Sequence, residues 1–293
     1  MAQLDHRARL DEVLERCAAG ALSPNLAVMQ LLIAARSPAE AQDAIAAAVT
    51  ARDCEALREV RRLFDTHGGA WKLVREILAS VDHTAAGRST RDIGRAFDRA
   101  AALSPAASVA LYSLGSEALL ADATSEIIAW LQAMKLIAAG RRVLDLGCGI
   151  GRLEPGLAPQ VSHVLGIEVS PRMAALARMR CAALRNVAFI LTSGRDLAPI
   201  ADASMDLIVA VDSFPYVVQS GAGLAQRHIE EAARILEPGG DLVMFNFSYR
   251  GDPERDRRDV AALARAAGLA VERNGTAALT TWDALIFHLR KRG

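Results

Sequence analysis

The fold is decided by the stretch Val143-Leu144-Asp145-Leu146-Gly147-Cys148-Gly149-Ile150-Gly151-Arg152, in which an apolar run ends in three alternating glycines. The apolar run predicts a buried strand, and the glycines predict a tight turn. Glycine accepts positive φ and has no Cβ, so a ligand can approach the main chain closely. A helix starting at about Gly151 would offer free N–H groups to an anion. The stretch therefore predicts a nucleotide-like ligand at a strand-to-helix turn, with an ordinary connection as the alternative.

A second apolar run, Val164-Leu165-Gly166-Ile167, follows and ends in Glu168. In open α/β sheets the second strand ends beside the first, and a carboxylate at its tip can accept hydrogen bonds from ribose hydroxyls. Ser170-Pro171 then has the pattern of a helix start. The alternative is a solvated acid at the end of the strand.

The glycine spacing separates two classes of nucleoside ligand. Dinucleotide sites use G-x-G-x-x-G, and Arg152 occupies the position of the third glycine. The chain instead resembles the class I S-adenosylmethionine-dependent methyltransferases, whose first motif is an apolar run followed by D-x-G-x-G-x-G. Asp145, Gly147, Gly149 and Gly151 match that motif.

The resemblance extends over about residues 125 to 293. It includes Glu168 as the family's ribose-binding acid, Ser204-Met205-Asp206-Leu207-Ile208-Val209 as its fourth strand, and Arg234-Ile235-Leu236-Glu237-Pro238-Gly239-Gly240 before its fifth. The fold that it implies is an α/β, doubly wound, Rossmann-like sheet of seven mostly parallel strands. The residues expected to bind the cofactor S-adenosyl-L-methionine are Asp145, Gly147, Cys148, Gly149, Gly151, Glu168, Val169, Ser193, Gly194 and Asp212.

The end of the third strand departs from the family pattern. The family commonly has an acid or polar residue there, beside a small residue, which contacts the adenine amino group. Ser193 and Gly194 occupy the position here. Asp196 or a backbone N–H are alternatives for the adenine contact, and a solvated loop at Arg195 and Asp196 is another interpretation.

The end of the fourth strand, at Asp212, is where the family places the methyl group beside the acceptor. We expect Asp212 near the methionine end of the cofactor and Phe214 with Tyr216 as walls of the acceptor pocket. Ser213-Phe214-Pro215-Tyr216 also resembles the four-residue motif of amino-methyltransferases for adenine or glutamine, but lacks its Asp or Asn and has Phe in second place. A structural aromatic pair is the remaining alternative.

Tyr112 lies before the first strand, where many family members carry a lid over the cofactor. We interpret it as a lid residue, with a packed core tyrosine as the alternative. Asp212, Tyr216 and Tyr112 are therefore the candidate catalytic residues. His228, His288 and Trp282 are interpreted as packed or solvated, with no role as a general base.

Composition indicates a cytoplasmic enzyme. The 293-residue chain is 52% hydrophobic and has 34 basic and 34 acidic residues, so no strong field favours nucleic acid or an anionic membrane. The N-terminal sequence does not resemble a secretory signal, and the apolar stretch from Leu26 to Ala35 is too short to span a bilayer. The scattered cysteines predict reduced thiols and no metal site; they are Cys17, Cys54, Cys148 and Cys181.

Periodicity divides the chain into three parts. Residues 1–85 predict an all-α domain of some five short helices, with apolar stripes such as Leu10, Val13, Leu14 and Cys17. Residues 86–125 are expected to form a linker and lid helices, with the linker at His83 to Thr90, and residues 126–293 the methyltransferase domain. The predicted strands are Arg142 to Leu146, His163 to Glu168, Val187 to Thr192, Leu207 to Val211, Asp241 to Asn246, Ala270 to Arg273 and Leu285 to Arg290. The short gap before the last strand predicts that it runs antiparallel.

The sequence therefore predicts an S-adenosylmethionine-dependent methyltransferase acting on a small-molecule acceptor, mainly by positioning. One alternative is a nicotinamide oxidoreductase, against which Arg152 argues. Another is a non-catalytic protein that keeps the fold and docks a partner. The helical domain could shape the acceptor pocket, form a homodimer or bind a partner protein.

Overall fold

The computed structural model describes residues 2–81 and 87–293. The chain folds into two compact units. The helical unit contains Met1–Ser80, Ala100–Ala123 and Leu279–Asp283, and the sheet unit contains Val81–Arg99, Thr124–Ala278 and Ala284–Gly293. Residues 83–86 of the predicted linker lie outside the described residues, and the predicted division at 85 and 125 stays a prediction.

Five α-helices open the helical unit, as predicted: α1 Ala2–Ala18, α2 Pro24–Ala34, α3 Pro38–Ala51, α4 Glu55–His67 and α5 Trp71–Ser80. The predicted stripe on α1 is buried, with Leu10 and Cys17 at 0% exposure. Gly20, at φ +75°, follows the end of α1 because a left-handed residue cannot continue the helix.

Serine caps start some of these helices. The Ser37 hydroxyl accepts from the Glu40 amide at the start of α3. Ser23 precedes α2 but makes no such capping bond. Its hydroxyl instead donates to Asn25 Oδ1 at 2.8 Å and to the Thr281 carbonyl at 3.2 Å. Pro24 suits the first turn of α2, but tertiary partners decide what Ser23 binds.

The sheet unit contains the predicted seven-stranded sheet, in the order β3-β2-β1-β4-β5-β7-β6. Its strands are β1 Arg142–Leu146, β2 His163–Glu168, β3 Val187–Leu191, β4 Met205–Val211, β5 Leu236–Phe245, β6 Leu269–Ala277 and β7 Leu285–Lys291. Strands β1 to β5 pair in parallel. Strand β7 runs antiparallel to β5 and β6, which confirms the reversed final strand.

Strand β5 begins five residues before its predicted start at Asp241. Leu236 already pairs with Met205, and the register then shifts before Leu207 pairs with Asp241. A bulge of this kind accommodates Pro238 and the two glycines after it, which the family resemblance placed before the strand.

The helices after α5 complete the fold: α6 Thr90–Leu103, α7 Pro105–Val109, α8 Glu117–Ala133, α9 Glu154–Leu157, α10 Pro171–Arg180, α11 Phe214–Gln219, α12 Ala222–Ile235 and α13 Pro253–Ala266. One face of the sheet forms a core in which Leu144, Ile208 and Leu242 cluster with Ile229 of α12 and Val260 of α13. Within the described residues, no helix combines the length and apolarity needed to cross a membrane.

A buried ion network joins β1, β5 and β7 near the amino end of β1. Asp241 accepts from Arg141 Nη1 at 3.0 Å and lies 2.9 Å from His288 Nε2. His288 is therefore a packed residue, as predicted. This network lies at the opposite end of β1 from the glycine turn, so it stabilises the sheet without occupying the strand ends where ligands bind in such folds.

Candidate functional site

The glycine turn after β1 has left-handed backbone at every second residue. The φ angles are +77° at Gly147, +57° at Gly149 and +73° at Gly151. The predicted helix start at Gly151 is wrong, because a left-handed residue cannot begin a right-handed helix. Helix α9 begins at Glu154 and is only four residues long. The prediction of a ligand site therefore rests on the backbone of the turn rather than on a helix N-terminus.

Glu168 closes this turn from the tip of β2. Its Oε2 accepts from the Gly149 amide at 2.9 Å, and its Oε1 accepts from the Val169 and Ser170 amides at 2.7 Å each. Burial raises the pKa of the carboxyl, and the three amides oppose that rise. Since a carboxylate has about four lone-pair positions, Glu168 retains capacity for a further donor.

Asp145 and Cys148 are buried at the strand end. Desolvation raises the pKa of Asp145 to about 7, with Arg152 opposing the rise and Glu168 adding to it. Burial also raises the pKa of the Cys148 thiol. Arg152 Nη1 donates to the Thr124 hydroxyl of α8 at 3.4 Å, which anchors the guanidinium close to these groups. Arg152, which occupies the position of the third glycine in dinucleotide-binding folds, is thus a buried cation.

The loops after β2 and β3 contact each other. Gly194 has φ +68°, and a Cβ there would lie 2.6 Å from Val169 Cγ1. The Ser193 carbonyl accepts from the Thr90 hydroxyl at 2.7 Å. Asp196 accepts from the Ala198 amide at 3.2 Å, within its own loop. The fold brings Val169, Ser193 and Gly194 together, while the adenine contact stays a prediction.

Helix α6 packs on both loops through Thr90, Gly94 and Asp98, which are spaced four residues apart on one face. Asp98 Oδ1 accepts from the Ser170 hydroxyl at 2.6 Å and from the Arg172 amide at 3.0 Å. A Cβ on Gly94 would lie 2.9 Å from the Val169 carbonyl oxygen. Sequence reasoning expected linker and lid helices over residues 86–125 but did not identify these three contact residues. The available signal was a glycine with a threonine and an acid at four-residue spacing.

Gly94→Ala is expected to lower the free energy of unfolding by about 1–2 kcal/mol. The new methyl overpacks the Val169 backbone, which costs about 1–3 kcal/mol and exceeds the roughly 0.5–1 kcal/mol gained in helix propensity. Gly223→Ala in α12 is the matched control, since no atom lies within 4 Å of its added Cβ. Urea unfolding of both variants tests this; equal or greater stability in Gly94→Ala than in the control would contradict the packing argument.

Tyr112 belongs to the helical unit rather than to the loops around the glycine turn. It is 3% exposed, and its ring stacks on Trp282 with centroids 5.6 Å apart. Trp282 is packed, as predicted. The role of Tyr112 toward the cofactor stays a prediction.

The loop after β4 contacts the glycine turn directly. A Cβ on Gly147 would overlap the Ser213 side chain, and the Ser213 hydroxyl donates to the Leu146 carbonyl. This packing sets Asp212 next to the predicted cofactor turn. Asp212, at φ +55°, and Asn246, at φ +65°, are both left-handed, and Asn246 Nδ2 donates to Asp212 Oδ1 at 3.0 Å. Left-handed residues other than glycine cluster at functional sites.

Phe214 is a core residue, so its expected role as a pocket wall is wrong. It is 0% exposed and stacks on Phe247 at 5.5 Å. Residues that share a helix face are three or four positions apart, whereas Phe214 and Tyr216 on α11 are two apart and point in different directions. Tyr216 instead packs edge to face against Phe97 at 4.9 Å and Tyr249 at 5.7 Å. Sequence reasoning missed Phe97, Tyr249 and Asn246, which come from other elements.

Comparison with known proteins agrees with this geometry. Residues 144–244 match the family model described as a methyltransferase domain. Demethylmenaquinone methyltransferase of Tropheryma whipplei is 36% identical over 137 residues, which are 44% of this chain and 54% of that protein. Residues 144–244 therefore carry a methyltransferase domain, and this part of the chain is similar to the class I S-adenosylmethionine-dependent methyltransferases.

Two further proteins show how far this similarity extends along the chain. The 27-O-demethylrifamycin SV methyltransferase of Amycolatopsis mediterranei is 30% identical over 182 residues, which are 60% of this chain and 62% of that protein. The chain thus spans little more than half the length of the curated methyltransferases it matches. Phosphoethanolamine N-methyltransferase 1 of Haemonchus contortus, solved with phosphoethanolamine and S-adenosylhomocysteine, shares the fold with a TM-score of 0.53 at 16% identity, over 69% of this chain and 49% of that one.

Proposed function

We propose that this methyltransferase transfers a methyl group from S-adenosylmethionine to a small-molecule acceptor by in-line displacement. The observation that carries the proposal is the contact between the glycine turn and the loop after β4, where a Gly147 Cβ would overlap Ser213. Cofactor and acceptor groups must be adjacent for methyl transfer. Two curated relatives are named for small-molecule acceptors, demethylmenaquinone and a demethylrifamycin, which supports this acceptor class.

The residues fit S-adenosylmethionine in shape and in hydrogen bonding. The left-handed glycines let the turn take a path that side chains would block, since an added Cβ would meet Ser213 at Gly147 and Ala177 at Gly151. Glu168 is a buried carboxylate with a free lone-pair position for ribose hydroxyls. Asp145, Gly147, Cys148, Gly149 and Gly151 would surround the methionine and ribose. Val169, Ser193 and Gly194 would face the adenine, and Asp212 the methionine end.

The chemistry needs little from the side chains. The cofactor supplies an activated methyl group on a sulfonium, whose C–S electron pair remains with sulfur when the methyl leaves. The protein must align the acceptor and exclude water, which is worth several orders of magnitude in rate. Asp212 and Tyr216 would hold the acceptor by hydrogen bonds.

We also propose a cytoplasmic location, supported by four cysteines of which none is paired in a disulfide among the described residues.

Calorimetric titration with S-adenosylmethionine, S-adenosylhomocysteine and NADH tests the proposal. We expect micromolar binding of the two sulfur nucleosides and none of NADH.

Glu168→Gln should weaken the binding of the two sulfur nucleosides by about 1–3 kcal/mol, because ribose hydroxyls lose a charged acceptor.

Glu237→Gln is the control for that titration, since Glu237 is a half-exposed acid bonded to Arg142 near the amino end of β1. Binding of NADH alone would favour the oxidoreductase alternative. Binding of no nucleoside would favour a protein that keeps only the fold.

A further inference from the structure

Glu168, the proposed ribose acid, is held by the loop that follows it. Its Oε1 accepts from the amides of Val169 and Ser170 at 2.7 Å each. A carboxylate that accepts from two amides of one loop keeps a single orientation only while that loop keeps its place. The orientation of Glu168 therefore depends on what fixes Val169 and Ser170.

Asp98 on α6 fixes Ser170 from outside the loop. Its Oδ1 accepts from the Ser170 hydroxyl at 2.6 Å. The same hydroxyl accepts from the Met173 amide at 3.1 Å, as the N-cap of α10. Because a hydroxyl has one proton and Asp98 accepts it, the lone pairs of the hydroxyl are left for the helix end. Ser170 is 0% exposed, so solvent does not compete for these bonds.

Asp98 also completes the capping of α10. The first N–H groups of a helix have no acceptor within the helix. Ser170 accepts from the Met173 amide, and Asp98 Oδ1 accepts from the Arg172 amide at 3.0 Å. A carboxylate at this end is also favoured by the helix dipole. Asp98 is thus part of the helix start that follows Glu168, although 72 residues separate it from Ser170.

Val169, the other amide donor to Glu168 Oε1, contacts the same face of α6. A Cβ on Gly94 would lie 2.9 Å from the Val169 carbonyl oxygen. Gly94 and Asp98 are four residues apart, which places them on one side of the helix. Both residues whose amides hold Glu168 Oε1 therefore lie against α6.

Asp98 supports Glu168 by hydrogen-bond geometry rather than by charge. The negative charge of Asp98 raises the pKa of Glu168, so it opposes the ionised form that accepts from ribose hydroxyls. An uncharged acceptor of the same shape would therefore serve Glu168 at least as well. Asparagine at position 98 supplies such an acceptor, whereas alanine supplies none.

We propose that Asp98 is a positioning residue of the cofactor site, which holds the loop at Val169 and Ser170 so that Glu168 faces the ribose. The inference rests on the proposed function, because it concerns how the same site recognises S-adenosylmethionine. Asp98 acts through the loop and needs no contact with the cofactor. Its loss should therefore weaken recognition of the ribose hydroxyls more than affinity for the rest of the molecule.

Paired calorimetric titrations with S-adenosylhomocysteine and its 2′-deoxy analogue test this role, since the two differ only in a hydroxyl that an acid at this position binds. We expect the wild type to bind S-adenosylhomocysteine at least tenfold more tightly than the analogue. Asp98→Ala should lower this preference at least threefold, because Glu168 loses its fixed orientation. Asp98→Asn should keep the preference within twofold of the wild type.

Ser170→Ala removes the donor of the same hydrogen bond, so it should also lower the preference at least threefold, and it decides the test if Asp98→Ala does not fold. Asp92→Ala is the matched control, because Asp92 is an exposed acid on α6 that accepts from Ser89 in its own turn. It should keep the full preference.

A preference unchanged in Asp98→Ala, or lowered equally in Asp92→Ala, would overturn the positioning role. A loss in Asp98→Asn as large as in Asp98→Ala would overturn the hydrogen-bond explanation. Equal binding of the two nucleosides by the wild type would remove Glu168 from the ribose and overturn the inference, while leaving the proposed function intact. Failure of S-adenosylhomocysteine itself to bind would instead overturn the proposed function.

Discussion

Replacing Gly149 with valine is expected to raise the Kd for S-adenosylhomocysteine more than 100-fold. Gly149 has φ +57°, a conformation in which a β-branched residue is an outlier. Its amide donates to Glu168 at 2.9 Å, so a distortion there displaces the predicted ribose acid as well. The valine side chain would also fill space that a ligand needs against the main chain. Isothermal titration of the variant measures the effect.

Backbone strain alone must be separated from loss of the site. Gly268→Val introduces the same residue at φ +72° in the turn between α13 and β6, where an added Cβ meets no atom within 4 Å. Both variants should lose stability, because left-handed valine is strained wherever it stands. Only Gly149→Val should lose cofactor binding. Retained affinity in a folded Gly149→Val protein would remove the glycine turn from the proposed cofactor site.

Glu154→Met is expected to raise the free energy of unfolding by about 1–3 kcal/mol at pH 5, and by more at pH 8. Glu154 is 0% exposed, and neither carboxyl oxygen has a hydrogen-bond partner among the described residues. Burial raises the pKa of Glu154 well above its ordinary value, and the charge of Asp145 raises it further. The nearby backbone amides of Leu153 and Glu154 lower this pKa only in part, and neither amide forms a hydrogen bond with the carboxyl oxygens. Methionine fills a similar volume without a polar group.

The sign of the pH dependence follows from that raised pKa. The unfolded chain releases the Glu154 proton near pH 4.5, whereas the folded protein keeps it to higher pH. The free energy of unfolding is therefore undiminished by Glu154 below pH 4.5, where the carboxyl is protonated in both states. Above that pH it declines by about 1.4 kcal/mol per pH unit, until the pH passes the pKa of Glu154 in the folded protein. Burial also raises the pKa of Asp145, so the titration of this neighbouring group changes stability in the same direction.

Two variants separate the polar cost from the titration. Glu154→Gln removes the titration but keeps an unpartnered polar group, so it should flatten the pH dependence without the full gain of Glu154→Met. Urea unfolding between pH 5 and 8 measures both. A Glu154→Met protein that is less stable than the wild type across this range would show that the carboxyl has a stabilising partner in the folded protein.

Short sequence motifs located the glycine turn and Glu168 of the candidate site, but they did not locate the contacts of α6. The turn at Gly147 to Gly151 and the acid Glu168 are contiguous in the chain with the strands that carry them, so motif spacing located them. Helix α6 reaches the same loops from a segment about 70 residues before Glu168 through a hydrogen bond to Asp98 and a close approach at Gly94. Interactions of this kind depend on packing, which no short motif encodes.

The sequence by itself determined the seven-stranded sheet, its reversed final strand and the α-helical N-terminal segment, because periodicity, glycine spacing and connection length act within a few residues. Tertiary structure alone decided that Phe214 enters the core while Tyr216 joins Phe97 and Tyr249 around Asp212. Neighbouring residues on a short helix face different directions, and their partners come from distant parts of the chain. Which face becomes a pocket wall is therefore settled only when the elements pack.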